Sequence, residues 1–179
     1  HLVDHVTWNL DRFDLTPDRL VIEVLETVVA GQSEDFVIRN LSGLARLGCC
    51  LDLDDFGTGH ASITNIRRFS IERIKIDRSF VTNIDQDSEQ QQMVAAILTM
   101  ADRLGLDTLA EGVETMAEQG MLERLGCGHA QGFGIARPMP FEETSQWITK
   151  FTTDAPRLIT LPGRAGLSAA QPAKTGKTA

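Results

Sequence analysis

Acidic side chains are concentrated at a few places in the sequence where apolar runs end. The segment CCLDLDDFGTGH, from Cys49 to His60, sets three carboxylates against an apolar run and then breaks into a glycine turn. Crowded carboxylates repel one another and have raised pKa values unless cations neutralise their charge. Hard divalent metal ions bound through oxygen atoms are the simplest explanation for such a group. The segment therefore raises the hypothesis of a metal site, which depends on acidic residues elsewhere in the chain.

Similar polar residues follow other apolar runs, at positions that correspond to one another. The residues at or near the ends of five successive runs are Glu23 and Glu26, Asp54 and Asp55, Lys75 and Asp77, Glu111 and Glu114, and finally Gln131. In parallel α/β folds the carboxyl ends of the strands share one face, and that face carries the chemistry. We therefore expect these side chains to meet in one cleft.

Structural explanations compete with this hypothesis. Asp54 and Asp55 precede a glycine turn, and Asp commonly favours turns or caps the helix that follows. Glu23 and Lys75 stand inside apolar runs, where a buried unpaired charge costs several kcal/mol. The acids and the lysine could instead neutralise one another as a buried ion cluster. Trp8, Trp147 and the phenylalanines are expected in the core.

Short apolar runs alternate with amphipathic segments along the chain. The pattern predicts strands at 20–26, 49–54, 73–76, 107–110 and 129–132, and helices at 33–47, 62–69, 87–104, 115–125 and 142–150. Thr115 and Glu118 have the spacing of a capping box, which opens a helix. Repeated strand and helix units with apolar strands are typical of an α/β fold in which helices cover a parallel sheet.

Composition and charge exclude several classes of protein. The 179 residues are 42% hydrophobic and carry a net charge of −8, which argues against a nucleic-acid duplex as partner. No apolar run approaches the roughly 18 residues of a membrane span, so a cytoplasmic setting is expected, although upstream segments of a parent protein could anchor it. The basic, Pro-rich and Gly-rich residues 152–179 are predicted to be a disordered tail.

Five sequence blocks resemble the successive signatures of EAL domains, in the expected order. They are IEVLET, DLDDFGTGHASI, IKIDRSFV, AEGVET and GCGHAQGFGIARPMP, and the resemblance covers nearly all of residues 1–150. EAL domains are bacterial phosphodiesterases for cyclic di-GMP, with a modified TIM barrel fold. The resemblance therefore implies a TIM-like (β/α) barrel that hydrolyses cyclic di-GMP to linear pGpG with two Mg²⁺ or Mn²⁺ ions.

The resemblance also implies a role for each residue of the proposed metal site. Glu23 resembles a metal ligand of the family, and Asp54 resembles the carboxylate that bridges both metals. Asp55 and Glu111 resemble ligands of the second metal, and Glu111 would also help to activate water. Lys75 resembles the lysine that holds the attacking water.

Four further positions correspond to residues around that centre. Asp77 and Glu114 resemble partners of the lysine, and Gln131 resembles a glutamine near the substrate. Glu26 resembles the anchor of a mobile loop that couples dimer contacts to activity. The resemblance therefore implies a homodimer that forms through the loop and helix at 57–69.

The chain also departs from the family pattern. The Glu-Ala-Leu motif and a metal-binding Asn on the next strand are found nowhere in it, and His60 and Ile135 stand where the family usually has Tyr. About 150 structured residues fall short of the ~250 of an eight-stranded barrel. We therefore expect residues 1–151 to be the C-terminal part of an EAL domain that is inactive alone, with sensor or GGDEF modules upstream in the parent. The alternatives are a degenerate cyclic di-GMP receptor and a dimerising regulatory module.

Overall fold

The computed structural model describes residues 2–30, 35–57, 59 and 63–154. Five parallel strands form one sheet, in which each strand pairs with the next in sequence. The strands are β1 (Val21–Leu25), β2 (Cys50–Phe56), β3 (Arg73–Ile76), β4 (Asp107–Ala110) and β5 (His129–Ala130). The predicted α/β fold with a parallel sheet is confirmed. Within the described residues the sheet is open, whereas a closed barrel of this type has eight strands.

Helices alternate with these strands, as the sequence predicts. They are α1 (Leu2–Arg12), α2 (Glu26–Ala30), α3 (Asp35–Leu47), α4 (Ile63–Arg68), α5 (Ser88–Leu104), α6 (Met116–Leu125) and α7 (Phe141–Asp154). No helix among the described residues has both the length and the apolar character that a membrane span needs.

Three differences from the predicted element boundaries concern candidate site residues. Glu26 was expected at the end of the first strand, but it is the first residue of α2. The second strand continues past Asp54 to Phe56. The last strand ends at Ala130, so Gln131 follows the strand and does not lie on it. Of the predicted disordered tail, residues 152–154 complete α7, and the rest lies outside the described residues.

The alternation of side chains along the strands separates an apolar face from a polar one. Leu51 and Leu53 on β2 are fully buried in the apolar cluster that also contains Leu44 of α3. Asp52 and Asp54 alternate with these leucines, so they belong to the opposite face of the strand. Burial of each large apolar side chain contributes roughly 1.5–3 kcal/mol, so this pattern fixes which face meets the helices.

A second apolar cluster packs beneath the other half of the sheet. It joins Ile76 of β3 and Ala110 of β4 to Val94 of α5 and Leu122 of α6. Trp8, expected in the core, is 55% exposed on α1. Several phenylalanines are also exposed, so the expectation that aromatic residues form the core was wrong for Phe13, Phe36, Phe133 and Phe141.

The chain divides into two compact units, of which the first extends to Pro138 and the second begins at Met139. All five strands belong to the first unit. The described part of the second unit contains α7, where the rings of Trp147 and Phe151 stack with their centroids 4.8 Å apart.

Candidate active site

An irregularity at the end of β2 brings two consecutive carboxylates to one side of the sheet. Side chains alternate between faces in a regular strand, so Asp54 and Asp55 would otherwise point in opposite directions. The pairing register with β3 shifts between Leu53 and Phe56, and Asp55 has a φ of 55°, in the left-handed region. Carboxylate oxygens of Asp54, Asp55 and Glu111 consequently lie within 4.8 Å of one another.

Lys75 lies among three carboxylates that come from three other strands or strand ends. Its Nζ is 2.6 Å from Oε1 of Glu23, 2.8 Å from Oδ1 of Asp54 and 2.9 Å from Oε1 of Glu111. The lysine side chain is only 5% exposed. The predicted convergence of strand-end residues is therefore seen for these four residues.

The surroundings of Lys75 keep it protonated. Burial by itself lowers the pKa of the lysine, but the contacts with Asp54, Glu23 and Glu111 outweigh burial and raise the pKa above its usual value. The side chain is therefore an ammonium at neutral pH, which donates hydrogen bonds and cannot act as a base.

The negative charge around Lys75 exceeds the positive charge. One ammonium faces the carboxylates of Glu23, Asp54, Asp55 and Glu111. The buried Oδ1 of Asp54 contacts the Lys75 ammonium at 2.8 Å, and this single ammonium cannot neutralise all four carboxylates. An oxygen-rich site with excess negative charge fits a hard divalent cation.

Glu23 differs from the sequence expectation in its exposure. We expected a buried charge, but the Glu23 side chain is 54% exposed. It lies on β1, which pairs only with β2 among the described strands. The Lys75 ammonium donates a hydrogen bond to Oε1 of Glu23 at 2.6 Å, and this bond holds the Glu23 carboxylate at the cleft.

Glu26 holds the backbone of the turn that follows β2. Its side chain is 4% exposed, and its Oε2 accepts hydrogen bonds from the amides of Gly57 and Gly59, both at 2.9 Å. A regular strand would have turned Glu26 away from the cleft, but the strand ends at Leu25 and α2 begins, which supplies the necessary bend.

The turn needs glycine at position 57. Gly57 has a φ of 104°, and a Cβ there would be 2.5 Å from Cε2 of Phe80, which lies after β3. His60, which departs from the family pattern, lies outside the described residues. The same is true of most of the loop within the predicted dimer segment 57–69.

The remaining predicted site residues follow β3, β4 and β5. Asp77 caps a short helical turn, with Oδ1 accepting the Ser79 amide at 3.0 Å. Glu114 has an exposed side chain in the segment after β4. Gln131 is also exposed, and its carbonyl oxygen accepts the Val113 amide at 3.0 Å. The last contact ties the segment after β5 to the one that carries Glu111 and Glu114.

Sequence reasoning missed a second charged pair next to the site. Asp52 is 2% exposed, and its Oδ2 accepts hydrogen bonds from Nε and Nη2 of Arg73 at 2.9 and 2.6 Å. These residues precede Asp54 and Lys75 by two positions on paired strands, so they lie on the same face. In the sequence, Asp52 precedes Asp54 by two residues and Arg73 precedes Lys75 by two residues, and this shared spacing could have revealed the pair.

The sequence profile of the EAL domain family matches residues 1–138. The chain belongs to the EAL domain family. It is 41% identical over 142 residues to the bifunctional diguanylate cyclase/cyclic di-GMP phosphodiesterase MucR of Pseudomonas aeruginosa, a match that covers 79% of this chain and 21% of MucR. It is 37% identical over 147 residues to the signaling protein YkoW of Bacillus subtilis. The chain thus spans about a fifth of the length of these relatives.

Solved structures of EAL proteins have a similar fold. The cyclic di-GMP complex of the MucR phosphodiesterase matches with a TM-score of 0.73 at 40% identity, over 79% of this chain and 57% of that one. A manganese and cyclic di-GMP complex of Klebsiella pneumoniae BlrP1 matches with a TM-score of 0.67 at 35% identity, over 75% of this chain and 35% of that one. This EAL chain therefore shares its fold with one protein whose solved structure is a cyclic di-GMP complex and with another whose solved structure is a manganese and cyclic di-GMP complex.

Proposed function

We propose that this chain forms part of a metal-dependent phosphodiesterase that hydrolyses cyclic di-GMP to linear pGpG in bacterial signalling. The convergence of Asp54, Asp55 and Glu111 around the buried Lys75 supports this proposal most directly. Named relatives such as MucR, a cyclic di-GMP phosphodiesterase, supply the substrate class.

The carboxylates divide between two metal positions in this proposal. Asp54, Asp55 and Glu111 would hold one Mg²⁺ or Mn²⁺ ion, because their oxygens already lie within 4.8 Å of one another. Glu23 and Asp54 would contribute to a second position, completed by a Glu and an Asn from upstream strands. Bound divalent ions supply charge neutralisation at the phosphoryl oxygens and lower the pKa of water.

Lys75 and Glu111 act on the attacking water. The Lys75 ammonium donates a hydrogen bond to the water oxygen and so fixes its position, since its raised pKa keeps it charged. Glu111 is 21% exposed, which leaves its carboxylate accessible as the acceptor of the proton that the water loses. Attack of the water oxygen at phosphorus then breaks the bond to one ribose 3′ oxygen, which takes up the proton that Glu111 accepted, and linear pGpG is left.

The remaining residues position the substrate and the site. Asp77 and Glu114 orient the lysine and its surroundings, and the exposed Gln131 contacts the substrate. Glu26 sets the conformation of the turn after β2 through the amides of Gly57 and Gly59. None of the four is a metal ligand in this proposal.

Residues 1–179 alone should hydrolyse cyclic di-GMP negligibly. The Glu-Ala-Leu motif and the Asn strand are not in the sequence, so the second metal position keeps only Glu23 and Asp54. Two carboxylates are too few protein ligands to hold a hard cation firmly. We call the chain extended by upstream strands that restore both features the extended form.

The assay that tests the function measures pGpG formation from cyclic di-GMP by chromatography. The extended form should release pGpG with Mn²⁺ or Mg²⁺ and lose this activity in EDTA, while residues 1–179 should be at least a hundredfold slower. Tight binding of cyclic di-GMP by the extended form without hydrolysis would replace this proposal with the receptor hypothesis. Equal rates for the two forms would show that the upstream strands are dispensable.

Three expectations about the protein's setting follow from the same proposal. The EAL domain works as a cytoplasmic homodimer that forms through residues 57–69, and sensor or GGDEF modules lie upstream in the parent protein. Sedimentation of the extended form, with and without cyclic di-GMP, measures the dimer. A monomer at all concentrations would exclude this part of the proposal.

A further inference from the structure

Glu118 is a buried acid near the candidate site that the proposed chemistry does not use. It is the third residue of α6, and it is 4% exposed. Its Oε2 accepts hydrogen bonds from the amides of Glu114 at 2.9 Å and Thr115 at 3.0 Å, and its own amide donates to Oγ1 of Thr115. These contacts form the capping box that the sequence predicts at the start of α6.

A capping box needs only one of the two carboxylate oxygens. The other oxygen, Oε1, accepts the amide of Asn83 at 2.9 Å, from a segment 35 residues earlier. Asn83 follows β3 and has a φ of 61°, which lies in the left-handed region. The contact with Glu118 supplies a hydrogen-bond acceptor for the backbone amide of Asn83. Glu118 therefore links the segment after β3 to the segment after β4.

Both linked segments carry candidate site residues. The segment after β4 contains Glu111 and Glu114, and the segment after β3 begins with Asp77. The two also pack tightly nearer to the site, where a Cβ on Gly112 would be 2.5 Å from Cβ of Arg78. The amide of Glu111 donates to the carbonyl oxygen of Ile76 at 3.1 Å, and the amide of Glu114 donates to Glu118. The segment from Glu111 to Glu114 is therefore held by a hydrogen bond at each end.

We propose that Glu118 is a positioning residue, which holds the segment bearing Glu111 and Glu114 against the segment after β3 and thereby sets metal affinity and turnover. This inference rests on the proposed phosphodiesterase function. The carboxylate must be ionised to accept three amides without a donor of its own, and the amides of Asn83, Glu114 and Thr115 outweigh burial and lower its pKa.

Two variants separate the helix cap from the link between segments. Glu118→Gln keeps one carbonyl oxygen, which suffices for the capping box, and its NH2 group then faces the Asn83 amide and cannot accept a hydrogen bond from it. Thr115→Ala removes the hydroxyl half of the cap and leaves the carboxylate, so it is the matched control. A purely structural role predicts that Thr115→Ala and Glu118→Gln affect only thermal stability.

The test combines hydrogen exchange, Mn²⁺ titration and kinetics. In residues 1–179, Glu118→Gln should accelerate exchange at the Asn83 amide and weaken Mn²⁺ binding about tenfold, as loss of a group that orients metal ligands does. In the extended form it should lower kcat about tenfold with KM within twofold, because the reacting groups and not the substrate contacts are displaced. Thr115→Ala should leave Mn²⁺ affinity and kcat within twofold.

Several results would overturn the proposal. Unchanged exchange at Asn83 in Glu118→Gln would show that the link does not exist, and unchanged Mn²⁺ affinity and kcat despite faster exchange would show that it is only structural. A wild-type extended form that binds Mn²⁺ but does not hydrolyse cyclic di-GMP would refute the proposed function, and the Mn²⁺ and exchange results would still decide the role of Glu118. Wild-type protein that binds no Mn²⁺ would refute both.

Discussion

At the scale of single residues, the candidate site depends on one lysine surrounded by carboxylates. Lys75 compensates part of the negative charge of Glu23, Asp54 and Glu111, which lie 2.6 to 2.9 Å from its Nζ. Together with Asp55, these groups carry more negative charge than one ammonium can neutralise. The excess of acids therefore favours the metal hypothesis over the purely structural explanation.

Replacement of Lys75 separates metal binding from hydrolysis. Lys75→Met keeps most of the buried stem but removes the ammonium, so the hydrogen bond to the attacking water is lost. We expect kcat of the extended form to fall about 10²-fold or more. Mn²⁺ affinity should be retained or increased, because the carboxylates lose a competing cation. Calorimetric titration measures the Mn²⁺ affinity, and an assay of pGpG formation measures kcat. A loss of Mn²⁺ binding as large as the loss of kcat would contradict the assigned role. Lys150→Met, the same change at an exposed position, is the control.

Glu118 makes stability depend on pH in the acid range. Its carboxyl pKa is lowered in the folded protein, so the ionised group stabilises the fold above its unfolded pKa, and this contribution is lost as the pH falls through the folded pKa. Wild-type protein should therefore lose more unfolding free energy on acidification from pH 7 to about pH 3 than Glu118→Gln does. Urea denaturation across this range provides the values. If the unfolding free energies of the two proteins fell by the same amount on acidification, the ionised carboxylate of Glu118 would not stabilise the fold.

At the scale of elements, the segments after β2, β3 and β4 contact one another around the site. Phe80 lies against Gly57, and Arg78 lies against Gly112. Each glycine has a positive φ, and a side chain at either position would collide with its neighbour. The candidate ligands are thus carried by loops whose backbone conformations depend on neighbouring loops.

Glu26 should act on the turn after β2 and not on the metal. Glu26→Ala removes the acceptor of the Gly57 and Gly59 amides, so hydrogen exchange at both amides should accelerate and turnover of the extended form should fall. The number of bound Mn²⁺ ions should not change, because the carboxylate of Glu26 is already occupied by backbone donors. Calorimetry that shows a lost metal site would refute this role. Glu123→Ala, an exposed change on α6, is the matched control.

At the scale of the whole molecule, periodicity alone predicts much of the fold. β3 and β4 have the predicted bounds, and in each case an acidic residue, Asp77 or Glu111, directly follows the strand. The capping box of Thr115 and Glu118 was also predicted, since its contacts are local in sequence. The sequence blocks that resemble EAL domains predicted the family.

Features that depend on distant contacts were not predictable in the same way. β2 shifts register against β3 between Leu53 and Phe56, where Asp55 has a positive φ, and no local sequence pattern reveals either feature. The second contact of Glu118 joins it to Asn83, 35 residues away. The exposure of Glu23 follows from the position of β1 at the edge of the described sheet, whereas the sequence shows only an acid in an apolar run.

The number of bound metal ions should distinguish the chain from the extended form. Residues 1–179 should bind one Mn²⁺ ion through Asp54, Asp55 and Glu111, and the extended form should bind two, because upstream ligands complete the second position. Isothermal titration gives the stoichiometry, and Asp55→Asn should abolish the single site of the shorter form. Two equally tight sites in residues 1–179 would show that the upstream ligands are not required.

The central claim is that carboxylates at the strand ends carry metal-assisted hydrolysis of cyclic di-GMP. Its most direct test is the rate of pGpG formation by the extended form with Mn²⁺, compared between wild type and Asp54→Asn. Asp54 is the shared ligand in the proposal, so this substitution should abolish hydrolysis while the circular dichroism spectrum and unfolding transition are preserved. Asp102→Asn, the same change on the exposed side of α5, should have full activity. Undiminished pGpG formation by Asp54→Asn would contradict the claim.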